Sequence, residues 1–290
     1  MRPRRFCKRT AALVLPRSRP SSTRKHKPMP RDQLTLPNGE KILPEGPDRV
    51  AALTRQVEKL NDGLRHHSAT DVLRAAIDNV PNLALVSSFG AESVALLHLA
   101  SMVKRDLPVL FIDTEMLFAE TLVYQQELSE RLGLRNVQTI RAQDVAEKDP
   151  DGTLHLRDPD ACCAFRKTVP LQHALEGFDG WITGRKRFQS GTRASLPFFE
   201  VETPADAPAR IKVNPLAHWQ ASDVSDYIDE NRLPRHPLVA QGYPSIGCAP
   251  CTTKVKPGED PRAGRWRNIE KEECGIHFVD GKMVRTGAKT

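Results

Sequence analysis

Short apolar segments alternate with segments of helical length between residues 82 and 184, and this alternation constrains the fold more than any other feature. Four short apolar segments are predicted as strands: NLALVSS, LPVLFID, NVQTI and GWITG (82–88, 107–113, 136–140 and 180–184). The segments between them, at about 92–105, 119–133 and 160–176, are predicted as helices, the second closed by Gly133 as a C-cap. This order predicts a parallel α/β sheet, whose ligands bind at the carboxyl ends of the strands.

The chain divides into three parts by its sequence pattern. Two further helices are predicted before the first strand, at 48–62 and 69–79, from their spaced apolar positions. After about residue 240, Gly, Pro, Cys and charged residues replace the periodic pattern, so this segment is not expected to bury a core alone. We therefore predict an extension over 1–31, an α/β domain over 47–240 and a C-terminal segment over 241–290.

The basic residues are concentrated at the N-terminus. Residues 1–31 contain eleven Lys and Arg and no acidic residue, whereas the rest of the chain contains 32 basic and 36 acidic residues. We expect 1–31 to be a disordered basic extension, with a transit peptide or a start at Met29 as alternatives. Because the remainder is slightly acidic, it is not expected to bind nucleic acid.

Hydropathy and cysteine content predict the environment of the chain. No apolar run approaches the roughly 20 residues that span a bilayer, so we expect a soluble protein with no membrane partner. Six cysteines without a secretory signal indicate a reducing compartment, which we expect to be the cytoplasm. Clustered thiols in such a compartment bind metals or perform redox chemistry more often than they form disulfides.

A small-residue loop, SSFGAES, joins the first predicted strand to the following helix (87–93). Backbone N–H groups at the start of a helix attract an oxyanion, and small residues let a phosphate or sulfate come close. The loop is neither a Walker A loop nor a dinucleotide fingerprint, because it lacks the required lysine and glycines. An ordinary β–α turn with a serine cap is the alternative.

Four cysteines form a candidate metal site. Cys162 and Cys163 are adjacent, and Cys248 and Cys251 form a CxxC pair. Four thiolates suit a metal centre. Zinc usually takes two CxxC pairs, and adjacent cysteines fit better at two corners of a larger iron–sulfur cluster; zinc or buried free thiols are the alternatives.

Two further features are a basic loop and a lone cysteine. The loop GRKRFQSGTR (184–193) follows the fourth predicted strand, and its arginines suit phosphate and sulfate oxygens; a solvated charge run is the alternative. Cys274 stands in EECGIH, after RAGRWRN. The upstream arginines would lower the pKa of its thiol and the adjacent glutamates would raise it, so a reactive thiol and an inert surface cysteine both stay open.

The ordered set of motifs resembles the assimilatory adenylyl-sulfate reductases over roughly residues 70–278. The motifs that carry the resemblance are the Ser/Gly loop, IDT, CCAFRK, QSGTR, CAPC, RAGR and ECGIH. The resemblance implies the adenine nucleotide alpha-hydrolase-like fold, a Rossmann-like α/β domain with a pyrophosphate-binding loop, followed by a cysteine-containing C-terminal segment. It also implies thioredoxin-dependent reduction of adenylyl sulfate to sulfite and AMP, through an S-sulfonated cysteine on the enzyme.

The resemblance assigns roles to individual residues. The implied ligands of one [4Fe–4S] cluster are Cys162, Cys163, Cys248 and Cys251, and the implied nucleophile is Cys274. Lys167, Arg262, Arg265 and His277 are expected to act on the phosphosulfate. The implied substrate-binding residues are Ser87, Ser88, Gly90, Ser93, Asp113, Thr114, Arg187 and Arg193.

Several alternatives follow from the same motifs. A reductase of the 3′-phosphorylated nucleotide, PAPS, or of both nucleotides is the nearest, although relatives dedicated to PAPS typically lack the two cysteine pairs. A tRNA sulfur transferase shares the loop but would need a basic face on the domain. A zinc-stabilised binding protein is the non-enzymatic alternative. The reducing partner is expected to be thioredoxin or a glutaredoxin-like dithiol, and a homo-oligomer stays open.

Overall fold

The computed structural model describes residues 47–189, 193–204 and 206–267, together with the strand residues 278–279 and 282–283. The strands in chain order are β1 Leu83–Ser87, β2 Val109–Ile112, β3 Val137–Ile140, β4 Gly180–Ile182, β5 Phe199–Glu202, β6 Arg210–Val213, β7 Phe278–Val279 and β8 Lys282–Met283. The α-helices are α1 Pro47–Leu64, α2 Ala69–Asn79, α3 Ser93–Val103, α4 Ala119–Leu132, α5 Val145–Lys148, α6 Leu154–Arg157, α7 Pro159–Cys163, α8 Val169–Ala174 and α9 Ala221–Glu230.

Six strands form one sheet in the order β3-β2-β1-β4-β6-β5, and β7 pairs with β8 in a separate ribbon. Neighbouring strands from β3 to β6 are parallel, whereas β5 runs antiparallel to β6 at the edge. The chain builds outward from β1 to β3 and then returns to place β4 on the other side of β1. The carboxyl ends of β1 and β4 therefore flank the crevice where ligands bind in such sheets.

Both faces of the sheet are covered, which explains why its central strands β1, β2 and β4 are almost entirely apolar. In β1, Leu83 and Leu85 belong to the large core cluster, and Ala84 belongs to a smaller cluster on the opposite face. Helices α1, α2, α3, α4 and α9 contribute to the large cluster, and α8 contributes Leu171 to the small one. Strands that are buried on both faces have near-continuous apolar sequences, as these central strands do.

The four predicted strands and the helices at α1 to α4 are confirmed within a few residues. Gly133 is the C-cap of α4 and has the left-handed conformation, with φ of 63°. The edge strand β5, the strand β6 and helix α9 were not among the predicted elements. Among the described residues, none of the helices is both long enough and apolar enough to cross a bilayer.

The helix predicted over about 160–176 is confirmed within a few residues, but it is not a regular α-helix. The helical segment consists of α7, a π-helix at Ala164–Thr168 and α8, without interruption. Pro170 stands in the first turn of α8. A proline has no N–H to donate to the preceding turn and its ring crowds the carbonyl there, so the wider π turn accommodates it.

Candidate active site

The loop after β1 lies at the crevice between β1 and β4. Ser87 is buried and its hydroxyl accepts a hydrogen bond from the backbone N of Phe89 at 3.1 Å. Phe89 is fully buried with a φ of +48°, a left-handed conformation that is costly for a bulky residue. Ser88 is exposed and Ser93 begins α3. The sharp turn thus directs the chain into the N-terminus of α3, where backbone N–H groups favour an anion.

Cations from the loop after β4 lie beside this turn. Lys186 is buried, and its Nζ donates to Glu92 Oε2 at 2.7 Å. Arg193 is also buried and donates through Nη1 to Gln189 Oε1 at 2.6 Å. Arg193 and Arg262 both interact electrostatically with Lys186, so the basic loop and the C-terminal segment place three cations together. Together they make this side of the crevice positive.

Arg187, which we expected to contact the substrate, is engaged within the protein. Its Nε donates to the Leu196 carbonyl oxygen at 2.9 Å, and its backbone N donates to the Ala217 carbonyl oxygen at 3.0 Å. These bonds fix the loop after β4 against the segment after β6. The structure therefore gives Arg187 a contact that orders the loop.

The segment after β2 connects the carboxyl edge of the sheet to the cysteines. Asp113 is buried, and its carboxylate accepts from the Glu115 backbone N and from Arg141 Nε, each at 2.9 Å. The Thr114 hydroxyl lies 3.2 Å from Cys248 Sγ. The Ala249 backbone N donates to the Met116 carbonyl oxygen at 2.8 Å. This segment thus holds the CxxC loop at the carboxyl end of β2.

All four predicted metal-binding cysteines line one cavity. Its other lining residues are Thr114, Met116, His155, Pro159, Arg166 and Lys167. The four cysteines are free thiols. Among the residues that the structure describes, no three or more His, Cys, Asp or Glu side chains are arranged to hold a single metal ion. The cavity therefore collects four thiols that do not converge on one ion.

Burial changes the acidity of these thiols. It raises the pKa of Cys162 to about 11, an effect reinforced by the neighbouring sulfurs of Cys163, Cys248 and Cys251 and opposed by Arg166. Burial also raises the pKa of Cys251, and the nearby Lys167 and Arg265 act in the opposite direction. Thiols in such surroundings stay protonated at neutral pH unless a metal takes the place of the protons.

The π-helix between α7 and α8 carries two cations into the interior. Arg166 is buried; its Nη2 lies 2.7 Å from Asp149 Oδ2, and its Nη1 donates to the Thr114 carbonyl oxygen at 3.0 Å. Lys167 is buried beside it and lines the cysteine cavity. Arg166 thus joins the cysteine-bearing helix to the segment after β2. A π turn within a helix is frequently found at a functional site.

The C-terminal segment approaches the loop after β1 at Ile246, whose carbonyl oxygen also binds Arg265. The Nη1 atom of Arg265 donates to the Ile246 carbonyl oxygen at 3.1 Å, and its guanidinium lies 4.5 Å from the ring centre of Trp266. A Cβ on Gly247 would overlap this guanidinium, and a Cβ on Gly90 would lie 3.4 Å from the Ile246 oxygen. Two glycines therefore allow the CxxC loop, Arg265 and the loop after β1 to pack closely.

Some predicted residues lie outside the described part of the chain. Cys274, the expected nucleophile, and His277 belong to this group, as do the basic extension 1–31 and three residues of the QSGTR motif, at 190–192. The described residues nevertheless bring together the loop after β1, the cations of two segments and the four cysteines.

The phosphoadenosine phosphosulfate reductase domain matches residues 82–254 of this chain. That match covers more than half of the chain, from the strand before the Ser/Gly loop to the CxxC pair. This chain belongs to the phosphoadenosine phosphosulfate reductase family. Its fold is the nucleotide-binding α/β fold that the resemblance implied, with a mostly parallel sheet.

The matches between this chain and its relatives cover most of the relatives' length. An adenosine 5′-phosphosulfate reductase of Mesorhizobium japonicum is 51% identical over 71% of this chain and 80% of that protein. One of Chelativorans sp. is 44% identical over 78% of this chain and 93% of that protein. A solved structure of phosphoadenylyl-sulfate reductase from Candida auris, a phosphate complex, is 28% identical with a TM-score of 0.60, covering 73% of this chain and 99% of that one.

Two ion pairs at the site could not be predicted from the sequence. Arg166 with Asp149 and Lys186 with Glu92 each join residues that are distant along the chain, 17 and 94 positions apart. Arg166 stands inside the CCAFRK motif, Glu92 inside SSFGAES and Lys186 inside GRKRFQSGTR, whereas Asp149 lies in none of these motifs. The pairings could not be identified, because neither periodicity nor local spacing reports which distant residues come into contact.

Proposed function

We propose that this protein reduces adenylyl sulfate to sulfite and AMP, with electrons from a dithiol protein of the thioredoxin class. The observation that carries the proposal is the contact of Thr114 with Cys248. It joins the thiol cavity to the carboxyl end of β2, at the edge of the sheet where the nucleotide is proposed to bind. The relatives at 51% and 44% identity are named as adenosine 5′-phosphosulfate reductases, which supports the same reaction.

The nucleotide is expected to bind in the crevice between β1 and β4. The turn at Ser87, Ser88, Gly90 and Ser93 offers backbone N–H groups and small side chains to its phosphate. Arg193 and Arg262, which lie close to Lys186, supply positive charge for the phosphosulfate. Arg265 and Lys167 complete the proposed set of cations, and Asp113 and Thr114 are proposed contacts at the end of β2.

The chemistry is proposed to take place at Cys274. Its thiolate attacks the sulfur of adenylyl sulfate in line, so that a sulfur–sulfur bond forms while the bond from sulfur to the phosphate oxygen breaks. AMP leaves with the electron pair of that bond, and the cations stabilise the charge on its phosphate. We propose that His277 acts beside Cys274 on the same phosphosulfate.

A dithiol partner is proposed to complete the cycle. One of its thiolates attacks Cys274 Sγ and forms a mixed disulfide, and sulfite leaves with the electron pair of the sulfur–sulfur bond. The second thiol of the partner then releases the Cys274 thiolate, so the partner becomes a disulfide as one sulfite is formed. Thioredoxin or a glutaredoxin-like protein fits this role, and we propose the cytoplasm, a reducing compartment, as the place of the reaction.

Cys162, Cys163, Cys248 and Cys251 are proposed to hold one [4Fe–4S] cluster. Each iron of such a cluster takes a single thiolate, so the four cysteine sulfurs need not converge on one ion. Four thiols on one cavity with no single-ion arrangement among the described residues fit this better than zinc. When bound, the cluster would add its charge beside Lys167 and cross-link α7 to the C-terminal segment. Anaerobically purified protein should be brown and contain iron and sulfide, whereas a colourless zinc protein would refute the assignment.

A product assay tests the proposed reaction. Anaerobically purified protein with adenylyl sulfate, thioredoxin, its reductase and NADPH should release sulfite and AMP in equal amounts, and Cys274→Ser should release neither. PAPS supplied in parallel serves as the competing substrate, and we expect a much lower kcat/KM for it. A higher kcat/KM for PAPS would assign the enzyme to the 3′-phosphorylated nucleotide, and sulfite from the Cys274→Ser variant would refute the mechanism.

A further inference from the structure

Glu92 occupies the N-cap position of α3, but its carboxylate does not cap the helix. It accepts a hydrogen bond from Lys186 Nζ at 2.7 Å instead. The Glu92 backbone has the αR conformation, not the extended one of a capping residue, but a carboxylate at this place still interacts with the positive end of the helix. The side chain of this chain's own Glu92 is therefore a potential competitor for the place where the substrate phosphate is expected.

Lys186 is held firmly enough to control the position of Glu92. Its side chain is 3% exposed, whereas that of Glu92 is 38% exposed. Its Nζ also donates to the Gly184 carbonyl oxygen at 3.3 Å, and its backbone N donates to Gln189 Oε1 at 3.2 Å. The ammonium group is thus fixed from the β4 side of the crevice, and the more exposed carboxylate is the partner that can move.

The surrounding charges favour the observed pairing. Arg193 and Arg262 lie close enough to lower the pKa of Lys186, in the same direction as its burial, and Glu92 acts in the opposite direction. Three cations without a carboxylate would repel one another in a buried place. Glu92 compensates this charge when it turns towards Lys186, and it leaves the N-terminus of α3 when it does so.

We propose that Lys186 is a positioning residue that holds the Glu92 carboxylate away from the N-terminus of α3, so that the substrate's phosphate can bind there. This inference rests on the proposed function, because it takes the crevice to be the nucleotide site. This role distinguishes Lys186 from the cations that are proposed to contact the substrate. The Nζ atom of Lys186 is buried and bonded to Glu92 and Gly184, and its effect on the nucleotide is exerted through Glu92.

The proposal predicts a specific pattern of rescue. In Lys186→Met, Glu92 loses its partner, and its uncompensated charge at the start of α3 becomes an intramolecular anion that competes with the nucleotide. Removal of that charge in Lys186→Met/Glu92→Gln should then restore binding, although the double variant lacks both charged groups. A cation that contacts substrate directly would show no such rescue.

The test measures AMP binding by isothermal titration calorimetry on anaerobically purified full-length protein with matched iron content. We expect the Kd of Lys186→Met to rise on the order of tenfold, which corresponds to about 1.4 kcal/mol, and the Kd of the double variant to return within about threefold of wild type. Glu92→Gln and Lys186→Arg should both bind like wild type. With adenylyl sulfate, the loss in Lys186→Met should appear mainly in KM.

Each contrary result has a defined meaning. A double variant that binds as weakly as Lys186→Met overturns the positioning role, and so does a Glu92→Gln variant that binds as weakly as Lys186→Met. An unchanged Kd in Lys186→Met overturns it as well. If Lys186→Met does not fold, Lys186→Gln takes its place, and a Lys186→Gln/Glu92→Gln variant that binds as weakly as Lys186→Gln overturns the role in the same way. Wild-type protein that fails to bind AMP refutes the proposed function itself, which is a different outcome.

Discussion

The Thr114 hydroxyl lies 3.2 Å from Cys248 Sγ, at the place where the segment after β2 meets the CxxC loop. Leu117 and Cys248 also form an antiparallel bridge, and the Thr252 hydroxyl donates to the Cys248 carbonyl oxygen at 2.9 Å. The CxxC loop is thus fixed to the sheet by backbone and side-chain bonds around one cysteine. Its position depends on β2, which belongs to the nucleotide-binding sheet.

Thr114→Val should weaken the hold on the proposed cluster. Valine keeps the shape of threonine but cannot hydrogen-bond to the Cys248 sulfur, and hydrogen bonds to ligating sulfurs stabilise metal centres. We expect iron loss in air, followed by visible absorption, to be several-fold faster than in wild type, with Thr114→Ser close to wild type. Equal rates for the valine and serine variants would contradict this role of the hydroxyl.

Gly247→Ala should displace Arg265, because a Cβ there would overlap its guanidinium. We expect the KM for adenylyl sulfate to rise on the order of tenfold, since a misplaced Arg265 would lose its proposed contacts with the phosphosulfate. Gly63→Ala is the matched control, because a Cβ at Gly63 in α1 meets nothing within 4 Å. That variant should keep its KM and gain about 0.5–1 kcal/mol of stability. Indistinguishable KM values for the two variants would contradict the steric argument.

Arg166→Leu should strongly reduce the free energy of unfolding. It leaves the Asp149 carboxylate buried without its cation, a change that typically costs about 3–5 kcal/mol. The control is Arg65→Ala, which removes an exposed pair with Asp62 and should cost less than about 1 kcal/mol. Urea unfolding followed by circular dichroism measures both. A loss in Arg166→Leu as small as that in the control would show that the buried pair adds little.

His236 should make stability depend on pH. It is buried, its Nδ1 accepts from the Leu238 backbone N at 3.2 Å, and its Nε2 lies 3.0 Å from the Thr121 hydroxyl. Burial lowers the pKa of His236 to about 4, with the nearby Glu120 acting in the opposite direction. In the unfolded chain His236 binds a proton below its ordinary pKa near 6.5, whereas in the folded chain it binds one only near its lowered pKa. Stability is therefore lost as the pH falls from about 6.5 towards about 4.

Urea midpoints at about pH 7 and about pH 5 test this dependence. Wild type should lose more stability between the two values than His236→Gln, whose amide can replace both hydrogen bonds without titrating. Other histidines contribute equally to both proteins, so the difference between them isolates His236. An identical pH dependence in the two proteins would show that His236 does not cause it.

Much of the fold could be predicted, because β1, β2 and β4 are almost entirely apolar and stand out from the helices. Strands β5 and β6 could not, since they bury charged residues of a kind that is usually exposed. In the structure Glu202 pairs with Arg210 at 2.7 Å and with Lys212 at 3.2 Å, which neutralises these charges inside the sheet. A charge pattern of this kind indicates a strand only after the pairing is known.

The candidate site, like the fold, could be predicted only in part. The Ser/Gly loop and the four cysteines could be predicted because their local spacing has a chemical meaning, and the structure brings the four cysteines into one cavity. Local sequence could not indicate that Thr114 would contact Cys248 or that Lys186 would pair with Glu92. Those contacts arise where separate strand ends meet at one edge of the sheet.

The central claim is that Cys274 accepts the sulfonate group, and intact mass spectrometry tests it most directly. Anaerobically purified protein mixed with adenylyl sulfate and no reductant should gain one SO₃ unit on the peptide that contains Cys274 and release one AMP. The added mass should disappear as sulfite on treatment with reduced thioredoxin, and Cys274→Ser should gain nothing. An adduct of the same mass in Cys274→Ser, or sulfite formation with no adduct on wild type, would contradict the account.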